Sequence, residues 1–377
     1  MANALTTGFG RVNSSASTPL ALSTAYDTKY QTYLKLFSGE LFKGFQHNAI
    51  ARDLVMRRTL KNGKSMQFIY TGRMSAEYHT PGTPILGQEN ALPVAEKMIQ
   101  MDDLLISSAF VYELDETLAH YELRGEISKK IGYALAERYD RNIFRAITRG
   151  ARQASPVGLT SSRREPGGGT VQVGSGSGAA ADALDAGKLI DAFYDAAAML
   201  DEKGVSGSGR VAVISPRQYY SLLQSAGTVS GLINRDVQGT ALQSGQGIVE
   251  IAGIKIYKSM NIPFQGKFGT GSASAAGAYK GGDFVGAAID NQADSVDGVN
   301  NDYGPANGFA TSCGLVFQKE AAGVVEAIGP QVQVTNGDVS VMYQGDIILG
   351  RLAMGADYLN PACAVELHTT NTAPTAF

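Results

Sequence analysis

The chain has 377 residues, 32 basic against 35 acidic side chains and a formal net charge of −3, with 44% of residues hydrophobic and 18% charged. These figures describe a globular chain with a core of its own and exclude a disordered one. They also lack the basic surplus of a protein that holds nucleic acid by its phosphates, and no run reaches the ~18 consecutive apolar residues of a membrane span.

Residues 1 to about 24 are small and polar and read as an arm that needs a partner to hold it. From Tyr26 to Ile50 the spacing turns helical: Tyr26, Tyr30, Tyr33, Leu34, Phe37, Leu41 and Phe45 recur at three and four. That aromatic face packs either on its own domain or on a neighbouring subunit. Between Met56 and Thr71 the pattern is strand-like, with Met66, Phe68 and Tyr70 alternating with Gln67, Ile69 and Thr71 after an Asn62-Gly63 turn. Gly72 to Pro93 follows neither period and carries Pro81, Pro84 and Pro93. Val94–Met101 and Leu104–Tyr112 are extended again. Two extended runs around a proline-rich tip predict a long projecting hairpin. Such a ribbon cannot bury both faces by itself, and it would expose apolar area and strand edges that monomers avoid. The expectation is an obligate assembly in which Arg73, Glu77 and Tyr78, with the Pro81–Pro84 tip, meet a neighbouring subunit, joined by Tyr33 and Phe37 of the aromatic helix.

Asp115 to Arg149 is the strongest element. Ile127, Ile131, Leu135, Tyr139, Ile143 and Ile147 form a ladder with a step of four, and Glu126–Lys130 and Glu137–Arg141 have the favourable orientation for helix ion pairs. Gly150 stands where a C-terminal stop belongs. Some 35 residues at ~1.5 Å each make a rod of roughly 50 Å, a spine for other layers. Beyond a glycine-rich loop at 154–180 come a helix from Asp182 to Leu200, a buried strand Val211–Ile214, and a second helix opened by Ser215 as N-cap and Pro216 at the first helical position. GIVEIAGIKIYKS reads as strand, Ala252-Gly253 turn, strand, and further strands follow in TSCGLVFQKEAAGVVEA, QVQVT, DIILGRLAMGA and ACAVELH. Strands mixed with helices without regular βαβ spacing give an α+β class.

Templates for chemistry fail. Gly63-Lys64-Ser65 lacks the leading glycine of a phosphate loop and precedes a strand; Gly207-Ser-Gly209 also precedes a strand, where a dinucleotide fingerprint must follow one. His47, His79, His120 and His368 are scattered and read as surface or interface residues. Cys313 and Cys363 lie too far apart for a metal knuckle and, with no basic-then-apolar leader in MANALTTGFGRVNSSAS, read as reduced thiols. Asp290, Asn291, Asp294, Asp297 and Asp302 lack the order of a calcium loop and read as solvated turns. Arg141, Arg145 and Arg149 share one helix face beside Glu137 and Asp140, a solvated or salt-bridged face. The reading contains no catalytic residue, no cofactor and no metal.

Four segments carry a resemblance: NGKSMQFIYTGRMSAEYHTPG (62–82), VYELDETLAHYELRGEISKKIGYALAERYDRNIF (111–144), GRVAVISPRQYYSLL (209–223) and GRLAMGADYLNPACAV (350–365). With them, the order of parts resembles the major capsid proteins of short-tailed, double-stranded-DNA bacteriophages, close to podoviruses of marine cyanobacteria, whose fold is the Hong Kong-phage capsid fold. The resemblance implies an N-terminal arm at 1–60, an extended loop at 61–110, and a peripheral domain with the spine helix and glycine-rich loop at 111–179. It further implies an axial domain at 180–310, peripheral-domain strands at 311–357 and a return to the axial domain at 358–377. It implies a virion capsid protein, assembled in the host bacterial cytoplasm into pentamers and hexamers of an icosahedral head. Its partners would be further copies of itself, scaffolding protein, portal protein and packaged DNA held without sequence-specific binding, with no membrane. No long charged helical prosegment precedes the arm, so scaffolding would be a separate protein. Lys61, Lys64 and Asn360 give no basis for isopeptide crosslinking. An encapsulin-type nanocompartment and a soluble α+β enzyme are the alternatives.

Overall fold

The computed structural model describes residues 49–72, 78–82, 94–102, 104–113, 123–154, 166–176, 182–224, 250–259, 261–262, 312–334 and 342–374. Among the described residues, twelve strands fall into three sheets. The first contains β1 (Met56–Thr59), β10 (Ala322–Val334), β11 (Gly345–Tyr358) and β4 (Leu105–Tyr112), in the order β1-β10-β11-β4. The second contains β5 (Gly169–Gln172), β12 (Ala364–His368), β9 (Ser312–Gln318), β6 (Arg210–Ile214), β8 (Ile254–Lys258) and β7 (Glu250–Ile251), in that order across the sheet. The third is an antiparallel ribbon of β2 (Ser65–Thr71) and β3 (Val94–Gln100), with Ser65 opposite Gln100 and Thr71 opposite Val94. Helices α1 (Leu123–Ala151), α2 (Ala186–Glu202) and α3 (Pro216–Gln224) complete the α+β set.

Helix α1 is the common wall. It packs on β11, β4 and β10 of the four-stranded sheet and on β12 and β9 of the six-stranded one. The step-of-four ladder supplies this contact: Ile131, Leu135, Tyr139, Ile143 and Ile147 are buried, and Ile127 packs half-buried beside them. A continuous apolar stripe of this kind is what the helical period of the sequence demands. Glu137 pairs with Arg141 at 2.6 Å as the spacing predicts, while Glu126 pairs with Lys129 at 3.1 Å, one turn position earlier than the expected Lys130. The expected helix start at Asp115 lies outside the described residues. At the other end the helix runs through Gly150 to Ala151. Gly150 is therefore not a stop but a site of close approach, where a Cβ would stand 2.9 Å from the Tyr358 Cβ.

Apolar contact alone lets a helix slide, and α1 is fixed by buried polar groups. The Tyr139 hydroxyl donates to Glu326 of β10 at 2.6 Å, and the same carboxylate receives Nε and Nη2 of Arg52, each at 3.2 Å. Burial, together with the Glu326 charge, pushes the Tyr139 phenol well above its usual value, so it stays a donor. A register shift in the β10–β11 ladder follows Glu326, the kind of local irregularity that re-aims a strand side chain. One residue along the helix, Asp140 accepts the backbone N–H of Ile50 at 3.0 Å and of Ala51 at 3.2 Å, and the Asn261 amide at 3.4 Å. It thereby caps the short 3-10 turn Ala51–Asp53, where the chain enters β1.

Several local elements follow the sequence directly. Ser215 Oγ accepts the Gln218 N–H at 3.3 Å while Gln218 Oε1 accepts the Ser215 N–H at 2.9 Å, a reciprocal capping box at the start of α3. All five residues of β6 are buried. Residues 312–318 pair with β12 and β6 in the six-stranded sheet. An uninterrupted buried run such as SCGLVF suits a strand covered on both faces. The segments AGVVEA and QVQVT, read apart, lie mostly on one strand, β10.

Two measurements check these contacts. Burial lifts Asp140 to about 7 despite its three donors, so the fold favours the protonated carboxyl. Its contribution to stability is complete below pH ~4, where the unfolded carboxyl is also protonated, and is lost as pH rises through about 7. The unfolding free energy of the unassembled subunit, read from urea titrations, should therefore fall between pH 4.5 and 8 by a component of about 3 kcal/mol that Asp140→Asn removes. An identical slope in both proteins would contradict the assignment. Ser215→Ala should cost about 1 kcal/mol in the same assay through loss of the cap.

Candidate assembly surfaces

The β2–β3 ribbon has two unlike faces. Met66, Phe68, Tyr70, Ala95, Lys97 and Ile99 alternate onto the inner face, and all are at least partly covered. The end of β11 and the residues just after it form its seat. Lys97 Nζ meets Asp357 at 2.7 Å and stands 3.6 Å from the centre of the Tyr358 ring, an ion pair and a cation–π contact made by one ammonium. The Tyr70 hydroxyl lies 3.2 Å from Asn360 Oδ1, which also accepts the Ala362 N–H at 3.0 Å. Arg58 of β1 lies over the Phe68 ring at 5.0 Å. At the root, Ile99 is buried, the Met101 N–H donates to Lys64 O, and the Asp102 N–H donates to Met354 O. Gly355 makes this approach possible: a Cβ there would lie 2.0 Å from Gln100 O.

The outer face is different. Gln67, Ile69, Thr71, Val94, Glu96 and Met98 all point away from the body of the chain. Ile69 is 75% exposed, Val94 55% and Met98 46%. Three large apolar side chains on one open ribbon face leave a surface that association would cover. Leu104 and Ile106, at the start of β4, are also exposed. Sequence reasoning singled out the polar flank of this hairpin and missed Ile69, Val94 and Met98, although the alternation that buries Tyr70 already assigns Ile69 to the opposite face.

The expected contact residues divide into two groups. Tyr78 and Pro81 are within the described residues and both are exposed. Arg73, Glu77, Pro84, Tyr33 and Phe37 lie outside the described residues, as do His47, His120 and the acidic loop at 290–302. Of the remaining histidines, His79 is exposed, but His368 is buried in β12, not at a surface, and burial lowers its pKa. Cys313 and Cys363 are buried thiols, and burial pushes the Cys313 pKa far up. The arginine face of α1 is salt-bridged, Arg141 to Glu137 and Arg149 to Asp357 at 3.8 Å. Among the described residues, no three His, Cys, Asp or Glu side chains gather in a way that could hold a metal ion, and no helix is long and apolar enough to cross a membrane.

Comparison with known proteins places these surfaces in context. Residues 67–368 match the Gp10A-like family, described as major capsid protein. The chain is 28% identical over 201 residues to the major capsid protein of Escherichia phage T7, a match covering 52% of this chain and 56% of that one, so it spans about half the length of that curated relative. The capsid structure of the cyanophage P-SCSP1u shares 32% identity with a TM-score of 0.65, covering 86% of this chain and 89% of that one. The mature capsid of bacteriophage PhiM1, at 16% identity and a TM-score of 0.58, covers 86% of this chain and 88% of that one and shares the fold. The chain belongs to the Gp10A-like family of phage major capsid proteins, has the Hong Kong-phage capsid fold, and is a virion capsid protein.

Proposed function

We propose that this chain builds the shell of an icosahedral phage head, associating into hexamers and pentamers around packaged double-stranded DNA. The observation that carries the reading is the two-faced ribbon: its inner face is seated on its own chain by Lys97, Tyr70 and Ile99, while its outer face presents Ile69, Val94 and Met98. In a closed ring each copy can cover the ribbon of the next, so many modest contacts are repeated around the ring. Arg73, Glu77, Tyr78, Pro81 and Pro84 continue that contact beyond the strands, and Tyr33 and Phe37 add to it from the arm.

In this reading the four-stranded sheet with α1 is the peripheral domain, and the six-stranded sheet with α2 and α3 is the axial domain near the capsomer centre. The β9 strand belongs to the axial side. Scaffolding protein and portal protein are the further partners, and the chain acts structurally, not as an enzyme. The net charge of −3 suits a wall that lies beside phosphates without gripping them.

Ile69→Asp and Met98→Asp test the reading. Each adds a charge to the exposed face and none to the core, so the unassembled subunit should keep its urea midpoint within about 0.5 kcal/mol. Particle yield on co-expression with scaffolding protein, counted by electron microscopy, should fall at least tenfold. Wild-type yield from both variants would remove the ribbon from the assembly contact.

A further inference from the structure

Helix α1 carries a second buried polar anchor, just past its C-terminal end and on the other sheet. Arg152, the first residue past the helix, directs its guanidinium at Glu366 in β12. Nε lies 2.6 Å from Oε2 and Nη2 lies 2.7 Å from Oε1, and both side chains are 0% exposed. Glu366 sits in the interior of the six-stranded sheet, with Thr170 of β5 on one side and Leu315 of β9 on the other. The Tyr139–Glu326–Arg52 cluster holds the same helix to β10 of the four-stranded sheet. One rigid rod is thus anchored to each sheet by a directional contact, the two roughly 20 Å apart along its axis.

A buried ion pair is a poor device for raising stability, because desolvation offsets most of its attraction, and well-packed apolar residues of similar volume often serve as well or better. What two parallel N–H···O bonds supply is direction: a guanidinium and a carboxylate meet in one plane and one orientation. Apolar packing between α1 and β12 has no such preference. The chain also has little freedom here, since a Cβ on Gly168, at the entry to β5, would fall 2.2 Å from Ala151 O.

We propose that the Arg152–Glu366 pair sets the angle between the two sheets, and through it the curvature at which copies join and the diameter of the shell. This rests on the shell-forming function proposed above and adds the residue pair that regulates its geometry.

The experiment compares three proteins co-expressed with scaffolding protein: wild type, the double variant Arg152→Met with Glu366→Leu, and Arg152→Lys, which keeps the charge but loses the planar fork. Subunit folding is read by the urea midpoint and shell diameter by electron microscopy. The expected result is a double variant whose midpoint equals or exceeds wild type, with shells whose diameters spread over more than one size class or shift to another. Arg152→Lys should broaden the distribution as well. A single wild-type diameter from either folded variant overturns the proposal. If neither variant folds, the pair acts as a stability element and the proposal is overturned as well. Failure of wild type to form shells at all would instead contradict the proposed function.

Discussion

One helix, anchored at its middle and again just past its C-terminus, is the constraint on which the rest of the subunit depends. Through Tyr139 and Glu326, α1 fixes the four-stranded sheet; through Arg152 and Glu366 it fixes the six-stranded sheet; through Asp140 it holds the chain entering β1. Between these points Ile143, Phe144 and Ile147 are fully buried. Hydrophobic burial supplies most of the favourable free energy and is indifferent to direction, whereas the polar anchors choose one arrangement among those it permits. Loss of one member of the Arg152–Glu366 pair alone would leave an uncompensated buried charge, a cost of about 3–5 kcal/mol.

The ribbon follows from the same body. Its seat is formed by Asp357 and Tyr358, the last residues of the longest strand of the four-stranded sheet, and by Asn360 just beyond it, so its direction is fixed by residues that also line the end of α1. Arg149 reaches the same Asp357 carboxylate from the helix. The inner face is therefore rigidly placed and the outer face is offered to solvent at a defined angle. An apolar surface presented in a fixed orientation is the form that repeated association uses, since little ordering entropy remains to be lost on contact.

Much of this was legible from residue pattern alone. The ladder of α1 stands out because each of its steps faces a sheet, and the alternation of Met66, Phe68 and Tyr70 identifies a strand with one covered face. The Ser215 cap can be read directly because its partner, Gln218, is three residues away. What escaped is long-range. Arg152 and Glu366 are 214 residues apart, and Tyr139 and Glu326 are 187 apart; no local period encodes such a meeting. Membership of β9 in the six-stranded sheet escaped for the same reason, because SCGLVF is a buried run in either sheet. Gly150 reads as a helix stop by its identity, yet its role is set by Tyr358, which packs against it from a distant strand. Of the candidate surface, the hairpin was legible, but attention to its polar flank passed over Ile69, Val94 and Met98.

The central claim is that a subunit is completed only by its neighbour across the open ribbon face. A cryo-electron-microscopy reconstruction of shells assembled from this chain tests it most directly. Ile69, Val94 and Met98 should each lie within van der Waals distance of an adjacent subunit at every position in the shell. A reconstruction in which these three side chains face solvent throughout would contradict the account.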